Sequence, residues 1–232
     1  MTVQQAREAA RQWMVEEAPK IPGFWAAYTA GSTNWLPADA ELTATCDLDI
    51  MVVLADRNQP AARRKFVYHD VLLEVSYLRQ DQFQSPGHFL SDYHLAPSLH
   101  TAKIIFDPFG HLAPLRAVVS REYARRRWVR RRCARARGKV LASLRSVSAN
   151  AALDDQVTAC LFAAGITTHV LLVAGLRNPT VRTRYVAVRD LLAAYGYHEF
   201  HETLLELLGS ARLSRERVAG HVTALADVFD KD

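Results

Sequence analysis

The sequence predicts an α+β fold, with a sheet-bearing head over residues 1–115 and an all-helical part over residues 116–232. Short apolar runs typical of buried strands are confined to the first half of the chain. From about Leu112 onward the apolar spacing is helical. Strands first and helices afterwards is the order expected of an α+β protein. With 232 residues, 50% of them apolar, the chain can bury a core without disulfides.

The head is predicted to begin with a helix, because Thr2 and Gln5 have the spacing of a capping box. Apolar residues then recur at helical spacing, and Pro19 ends the pattern. Extended segments follow, several of them bounded by Gly, Pro or Asp. We predict strands over 24–30, 47–54 and 102–106, and a hairpin over 65–78 that turns near His69-Asp70.

The second half is predicted to be a helical bundle. Ser120 is expected to cap a long Arg-rich helix that runs towards Ser146, and Pro179 is expected to open a later helix that Gly196 closes. The segment 156–176 has no formal charge, but it contains Gln, Thr and His side chains. We therefore expect the central helix of a soluble bundle rather than a membrane span.

Positive charge is concentrated in one segment. The sequence pI is about 9.3. Eleven of the 29 basic residues lie within 116–139, where Glu122 is the single acid. A nucleic-acid binder usually spreads its charge over several elements, so we do not expect a nucleic-acid partner. We interpret the basic segment as a solvated helix that joins the two parts. The alternatives are that its arginines contact a triphosphate or that they bind a polynucleotide.

Carboxylates gather on the predicted strands. Asp47 and Asp49 alternate with apolar residues, so both side chains point to one face, with their Cα atoms about 7 Å apart. Paired carboxylates of this kind suit Mg²⁺. Glu74 lies in an apolar strand, where a carboxylate is costly to bury without a partner. Gly31-Ser32, after the first strand, lets backbone amides and a hydroxyl approach a phosphate.

In this order, these residues resemble the nucleotidyltransferase superfamily of the DNA polymerase β type, and more narrowly the small bacterial aminoglycoside and lincosamide nucleotidyltransferases. The resemblance implies a mixed sheet, two Mg²⁺ ions, and transfer of a nucleoside monophosphate from an NTP, ATP above all, with release of pyrophosphate. It places Gly31 and Ser32 at the triphosphate. It gives Asp47, Asp49 and Glu74 the metal-binding and catalytic roles.

The same resemblance suggests roles in the helical part. Arg182, after Pro179, is similar to a basic residue that contacts phosphate in these enzymes. Asp154 and Asp155 would hold a cationic acceptor. Acidic residues at the start of a helix also suit the helix dipole without any ligand, which is the interpretation we prefer for that pair. The 14 residues between Ser32 and Asp47 are a long gap for the family.

The expected partners are a nucleotide and a small-molecule acceptor such as an aminoglycoside-like antibiotic. We expect no association with a membrane, and we expect a monomer or a homodimer. Three cysteines without metal-ligand spacing favour the cytoplasm, where thiols stay reduced. One alternative is an antitoxin-type enzyme that adenylylates a protein. Another is a non-catalytic module that binds nucleic acid or protein through residues 121–137.

Overall fold

In the described part of the chain, a five-stranded mixed sheet is flanked by helices and followed by a C-terminal helical region, which confirms the predicted α+β fold. The computed structural model describes residues 1–43, 46–55, 64–147 and 151–229. The order of strands across the sheet is β3-β4-β2-β1-β5. Strands β2 and β4 run parallel, and the other neighbours are antiparallel. The strands are β1 (Phe24–Ala30), β2 (Asp47–Leu54), β3 (Arg64–Tyr68), β4 (Val71–Arg79) and β5 (Lys103–Phe106).

The helices lie before the sheet, between β4 and β5, and after β5. In chain order they are α1 (Val3–Glu17), α2 (Pro86–Ser91), α3 (Leu95–Thr101), α4 (Leu112–Glu122), α5 (Arg126–Ser146), α6 (Leu153–Ala174), α7 (Arg184–Ala194), α8 (His198–Leu207) and α9 (Arg215–Phe229).

Each face of the sheet has its own apolar core. Helix α1 covers one face, where Trp13 and Met14 pack against side chains such as Leu48 and Ile50 of β2. Helices α2, α3 and α4 cover the other face, where Val53 is buried. Because side chains alternate along a strand, the odd-numbered residues of β2 point away from α1. Asp47 therefore shares its face with the second core.

Several local predictions are confirmed. The backbone N–H of Thr2 donates to Gln5 Oε1 (2.8 Å), and the N–H of Gln5 donates to Thr2 Oγ1 (3.3 Å), so the capping box is formed. The hairpin of β3 and β4 turns at His69 and Asp70, both with positive φ (47° and 61°). Two helix starts were predicted wrongly.

Ser120 does not cap the Arg-rich helix. It lies inside α4, where its hydroxyl donates to the carbonyl of His100 (3.3 Å), and α5 begins only after Arg125. Pro179 does not open a helix either. Residues 177–183 form an irregular segment, and α7 begins at Arg184. At Ser120, a tertiary contact uses the hydroxyl that the local pattern assigned to a cap.

Helix α6 is the apolar helix of the sequence. Its C-terminal half is buried, including Ile166, Leu172 and Val173, while its first ten residues are largely exposed. By length and composition α6 could cross a membrane, and 39% of its most apolar 18-residue stretch is buried inside the protein; one such helix among the described residues is weak evidence for a span. The sheet and its helical layers are consistent with a soluble protein.

By compactness the chain divides into two units, Met1–Arg184 and Tyr185–Asp232. The first contains the sheet, α1 to α6 and the segment 177–183. The second contains α7 beyond its first residue, α8 and α9. Strands do give way to helices after β5, near the predicted boundary at residue 115. The functional division into 1–115 and 116–232 stays a prediction.

Candidate active site

The loop after β1 is held in place by side chains. Asn34 Nδ2 donates to the carbonyl of Thr29, and the Thr29 hydroxyl donates to Asn34 Oδ1, both at 2.7 Å. Arg7 of α1 donates to the carbonyl of Thr33 (2.8 Å). The chain turns at Gly31 with φ of 72° into a short 3-10 turn that begins at Ser32. These bonds fix the Gly31-Ser32 backbone at one end of the sheet.

A row of charged residues crosses three neighbouring strands at that end. Asp49 of β2 is the register partner of Glu74 of β4, and Glu74 is the register partner of Lys65 of β3. Asp47 lies two residues before Asp49 on the same face of β2. The strand register therefore brings all three predicted carboxylates to one region, although they are separated in sequence.

Lys65 bridges two of these carboxylates. Its Nζ donates to Asp47 Oδ2 at 2.5 Å and to Glu74 Oε2 at 3.4 Å. No role was predicted for Lys65 from the sequence. Its position two residues into a strand that pairs with the Glu74 strand was the available signal, because residues opposite each other in a hairpin share a face.

Arg182, in the irregular segment 177–183, also contacts the carboxylate of Asp47. Its Nη2 donates to Asp47 Oδ2 at 2.9 Å, across 135 residues of sequence, and its side chain is 66% exposed. The segment is held from below by His169 of α6, whose Nε2 lies 3.2 Å from the carbonyl of Thr180. Since a carbonyl can only accept, that nitrogen carries the proton.

These contacts shift the pKa of several groups. Burial raises the pKa of the Asp47 carboxyl, but the hydrogen bonds from Lys65 and Arg182 outweigh burial and hold the pKa below its ordinary value. The bond to Asp47 raises the pKa of Lys65. Burial, with a smaller contribution from His94, lowers the pKa of His169 to about 4. Asp47 is thus ionised and His169 neutral at physiological pH.

A cleft of about 520 Å³ lies over this region, within the first compact unit. It is lined by Gly31, Ser32, Thr43, Cys46, Asp47, Asp49, Glu74 and residues 178–183. The lining combines carboxylates with a glycine-serine turn and an arginine. Such a surface can bind a polar ligand that carries both negative groups and hydroxyls.

The donors suit Mg²⁺ in kind, because they are hard carboxylate oxygens. Both cationic side chains contact Oδ2 of Asp47, and within the described ranges its Oδ1 has no hydrogen-bond partner. As the side chains stand, no three His, Cys, Asp or Glu residues among those described converge closely enough to ligate one ion. A metal here would have to share Asp47 with Lys65 and Arg182 or displace them.

Comparison with known proteins does not assign the chain to a family. No protein-family model matches the chain, and no curated protein matches its sequence. A nucleotidyltransferase-like protein from Exiguobacterium sibiricum has a similar structure. The identity is 14% and the TM-score 0.42, over 97% of this chain and 74% of that one. At this TM-score the similarity carries no argument about family or activity.

The predicted site residues separate into two groups. Gly31, Ser32, Asp47, Asp49, Glu74 and Arg182 all line the cleft. Asp154 and Asp155 do not line the cleft. They lie exposed in the first turn of α6, where acidic side chains interact favourably with the helix dipole. The hydrogen bond between His169 and the carbonyl of Thr180 depends on the tertiary fold and has no local signal in the sequence.

Proposed function

We propose that the protein is a Mg²⁺-dependent nucleotidyltransferase. It would transfer a nucleoside monophosphate from an NTP, ATP being the first choice, to a hydroxyl of a small molecule such as an aminoglycoside-like antibiotic. The observation that carries the proposal is the register of β2 and β4, which sets Asp49 opposite Glu74 in a cleft with the Gly31-Ser32 turn. Three carboxylates in one cleft repel each other, and cations relieve that repulsion.

Asp47, Asp49 and Glu74 would hold the metal. Mg²⁺ held by these carboxylates would supply positive charge to neutralise a triphosphate and to stabilise the attacking and leaving oxygens of phosphoryl transfer. The chain's own groups orient the substrates. The Gly31 turn lets the backbone approach the phosphates closely, and the hydroxyl of Ser32 donates to a phosphate oxygen.

Arg182 and Glu74 have further roles in this proposal. The exposed guanidinium of Arg182 already reaches into the cleft, so it can exchange Asp47 for a phosphate oxygen when the nucleotide enters. Glu74 would accept the proton of the acceptor hydroxyl. Lys65, bonded to both Asp47 and Glu74, places a positive charge between the two carboxylates. The free cysteines accord with a cytoplasmic enzyme.

The test is pyrophosphate release with Mg²⁺, each of the four NTPs and a panel of aminoglycosides, lincosamides and other polyhydroxylated acceptors. Asp49→Asn is the key variant, and Asp190→Asn, an exposed aspartate on α7, is the matched control. We expect acceptor-dependent release that Asp49→Asn lowers at least about a hundredfold and that Asp190→Asn leaves intact.

Other results redirect or end the proposal. If the protein binds an NTP but no small molecule stimulates release, the acceptor is a protein, as in the antitoxin-type alternative. Equal activity of Asp49→Asn and wild type would show that the carboxylate row is not the catalytic site. The absence of NTP binding would reject nucleotidyl transfer altogether.

A further inference from the structure

Helix α5 carries nine cationic side chains in 21 residues and no acidic one. Of its eight arginines, Arg132 is fully buried and structural. Its guanidinium donates to the carbonyls of Leu90 (3.1 Å) and Tyr123 (2.8 Å) and lies 4.4 Å from the centre of the Tyr123 ring. The other seven arginines are exposed. The basic character of this helix is therefore presented to solvent rather than used in the core.

The exposed arginines share one side of the helix. At 100° per residue, Arg126, Arg130 and Arg137 fall within a stripe about 40° wide, opposite the buried positions Arg132 and Ala136. At a rise of about 1.5 Å per residue, their Cα atoms are spaced about 6 and 10 Å along the axis. Arg127 lies about 80° from the centre of the stripe, and Arg131 lies about 120° from it in the same direction. The arrangement is a line of positive charge about 16 Å long.

Only part of this charge is neutralised within the protein. Arg127 pairs with Glu122 (2.6 Å), and Arg131 stacks 4.9 Å from the Trp128 ring. In the part of the chain that the structure describes, Arg126, Arg130 and Arg137 have no acidic partner within 4.0 Å. Like charges four residues apart destabilise a helix. A helix face that only had to be solvated would therefore be more stable with both acidic and basic side chains.

The kind of anion follows from the spacing and the side-chain type. Guanidinium groups bind phosphate through paired hydrogen bonds, and a line of them matches a polymer of phosphates better than a single ligand. A membrane surface fits less well, because a basic helix that binds lipid also inserts apolar side chains. On the solvent half of α5 between Arg126 and Arg137, Ala134 is the apolar residue, and it is too small to insert.

We propose that the solvent face of α5 between Arg126 and Arg137, the arginine stripe, binds the phosphodiester backbone of a nucleic acid. This inference is independent of the proposed catalytic activity, since none of the stripe residues lines the cleft. It also reverses the expectation drawn from sequence. In the sequence, the concentration of positive charge in one segment argued against a nucleic-acid partner. The structure adds that three of these arginines lie along one exposed side of the helix.

The test is binding of the full chain to three labelled probes, measured by fluorescence anisotropy over a range of salt concentrations. The probes are a single-stranded RNA, an RNA duplex and a DNA duplex of the same sequence. The variant is Arg126→Gln, Arg130→Gln and Arg137→Gln combined, because Gln keeps helix propensity. The control combines Arg11→Gln, Arg189→Gln and Arg217→Gln. It removes the same net charge from three exposed arginines on α1, α7 and α9.

We expect binding that weakens as salt rises, with a log–log slope of about −0.7 per phosphate contact on a single strand. The stripe variant should lose about tenfold or more in affinity and make the slope less steep by about 2, whereas the control should change neither by as much. Circular dichroism melting of both variants establishes that the helix is intact. Comparison of the probes tells whether RNA or DNA is preferred.

Three results would overturn the inference. One is no binding of the wild-type chain to any probe at an ionic strength of about 0.15 M. Another is equal loss of affinity in the stripe variant and the control, which would reduce the effect to net charge. The third is stripe-dependent binding to vesicles containing phosphatidylserine without binding to nucleic acid, which would assign the stripe to a membrane surface. None of these depends on NTP turnover.

Discussion

Gly31 lies directly against the carboxylate of Asp49. A β-carbon at position 31 would overlap Oδ2 of Asp49, and the backbone there has a φ of 72°, which side chains rarely adopt. Two independent constraints thus require glycine at this position. The close approach of backbone and carboxylate also brings the Gly31-Ser32 turn and the carboxylate row to the same place in the cleft.

The first prediction uses this relationship. Gly31→Ala should lower the free energy of unfolding by about 2 kcal/mol or more, because it combines backbone strain of about 1–3 kcal/mol, at a φ of 72° and a ψ of −165°, with displacement of Asp49. Gly110→Ala is the matched control, since its φ is 68° and nothing lies within 4 Å of its β-carbon. Urea unfolding of both variants measures the difference. Equal destabilisation would mean that Asp49 moves aside without cost.

The second prediction concerns the Lys65–Asp47 ion pair. The folded pKa of Asp47 is below its unfolded value of about 3.9, so the stabilisation is complete above that pH and is lost as pH falls through the folded pKa. Lys65→Gln removes the stronger hydrogen bond and should raise the titration midpoint of Asp47, observed by carboxyl ¹³C NMR. The variant should be less stable than wild type at neutral pH, and the gap should close in acid.

The control for that experiment is Lys20→Gln, which removes an exposed lysine paired with Glu17 on the surface. It should leave the Asp47 titration unchanged. An unchanged midpoint in Lys65→Gln as well would show that Arg182 alone sets the ionisation of Asp47.

The third prediction tests how the Arg182 segment is held. His169→Leu removes the donor to the carbonyl of Thr180, a hydrogen bond worth about 1 kcal/mol, so amide exchange over residues 180–183 should become about fivefold faster. His169→Gln can restore a donor and should recover part of the protection. Because the pKa of His169 is about 4, the wild-type protection should not vary with the ionisation of this residue above about pH 5. Identical exchange in all three proteins would remove His169 from this role.

The fourth prediction concerns the hairpin that carries Lys65 and Glu74. His69 and Asp70 form a two-residue turn with φ values of 47° and 61°, a conformation that Asn and Gly adopt more easily. The double substitution His69→Asn with Asp70→Gly should raise the free energy of unfolding by about 1 kcal/mol, measured by urea unfolding. The carboxylate row should keep its register. A loss of stability would mean that the His69 ring contact with Tyr68 matters more than the turn strain.

Much of the fold could be predicted because its signals are local. The capping box of Thr2 and Gln5, the apolar strands and the turn at His69 depend on neighbours within a few residues. The helix starts at Ser120 and Pro179 were predicted wrongly for the complementary reason. A capping residue is recognised from sequence by type alone, and Ser120 instead donates to the carbonyl of His100 in the preceding helix, α3.

The candidate site shows the same division. The shared face of Asp47 and Asp49 could be predicted from the sequence, because side chains alternate with a period of two along a strand. The position of Gly31-Ser32 after a strand could be predicted from the short apolar run that precedes it. Three other features became visible only in the folded chain: Asp49 lies opposite Glu74, Lys65 bridges Asp47 and Glu74, and Arg182 reaches Asp47 across 135 residues. Strand pairing and loop return join residues far apart in the chain, and their partners are selected by packing of the whole domain rather than by any local pattern.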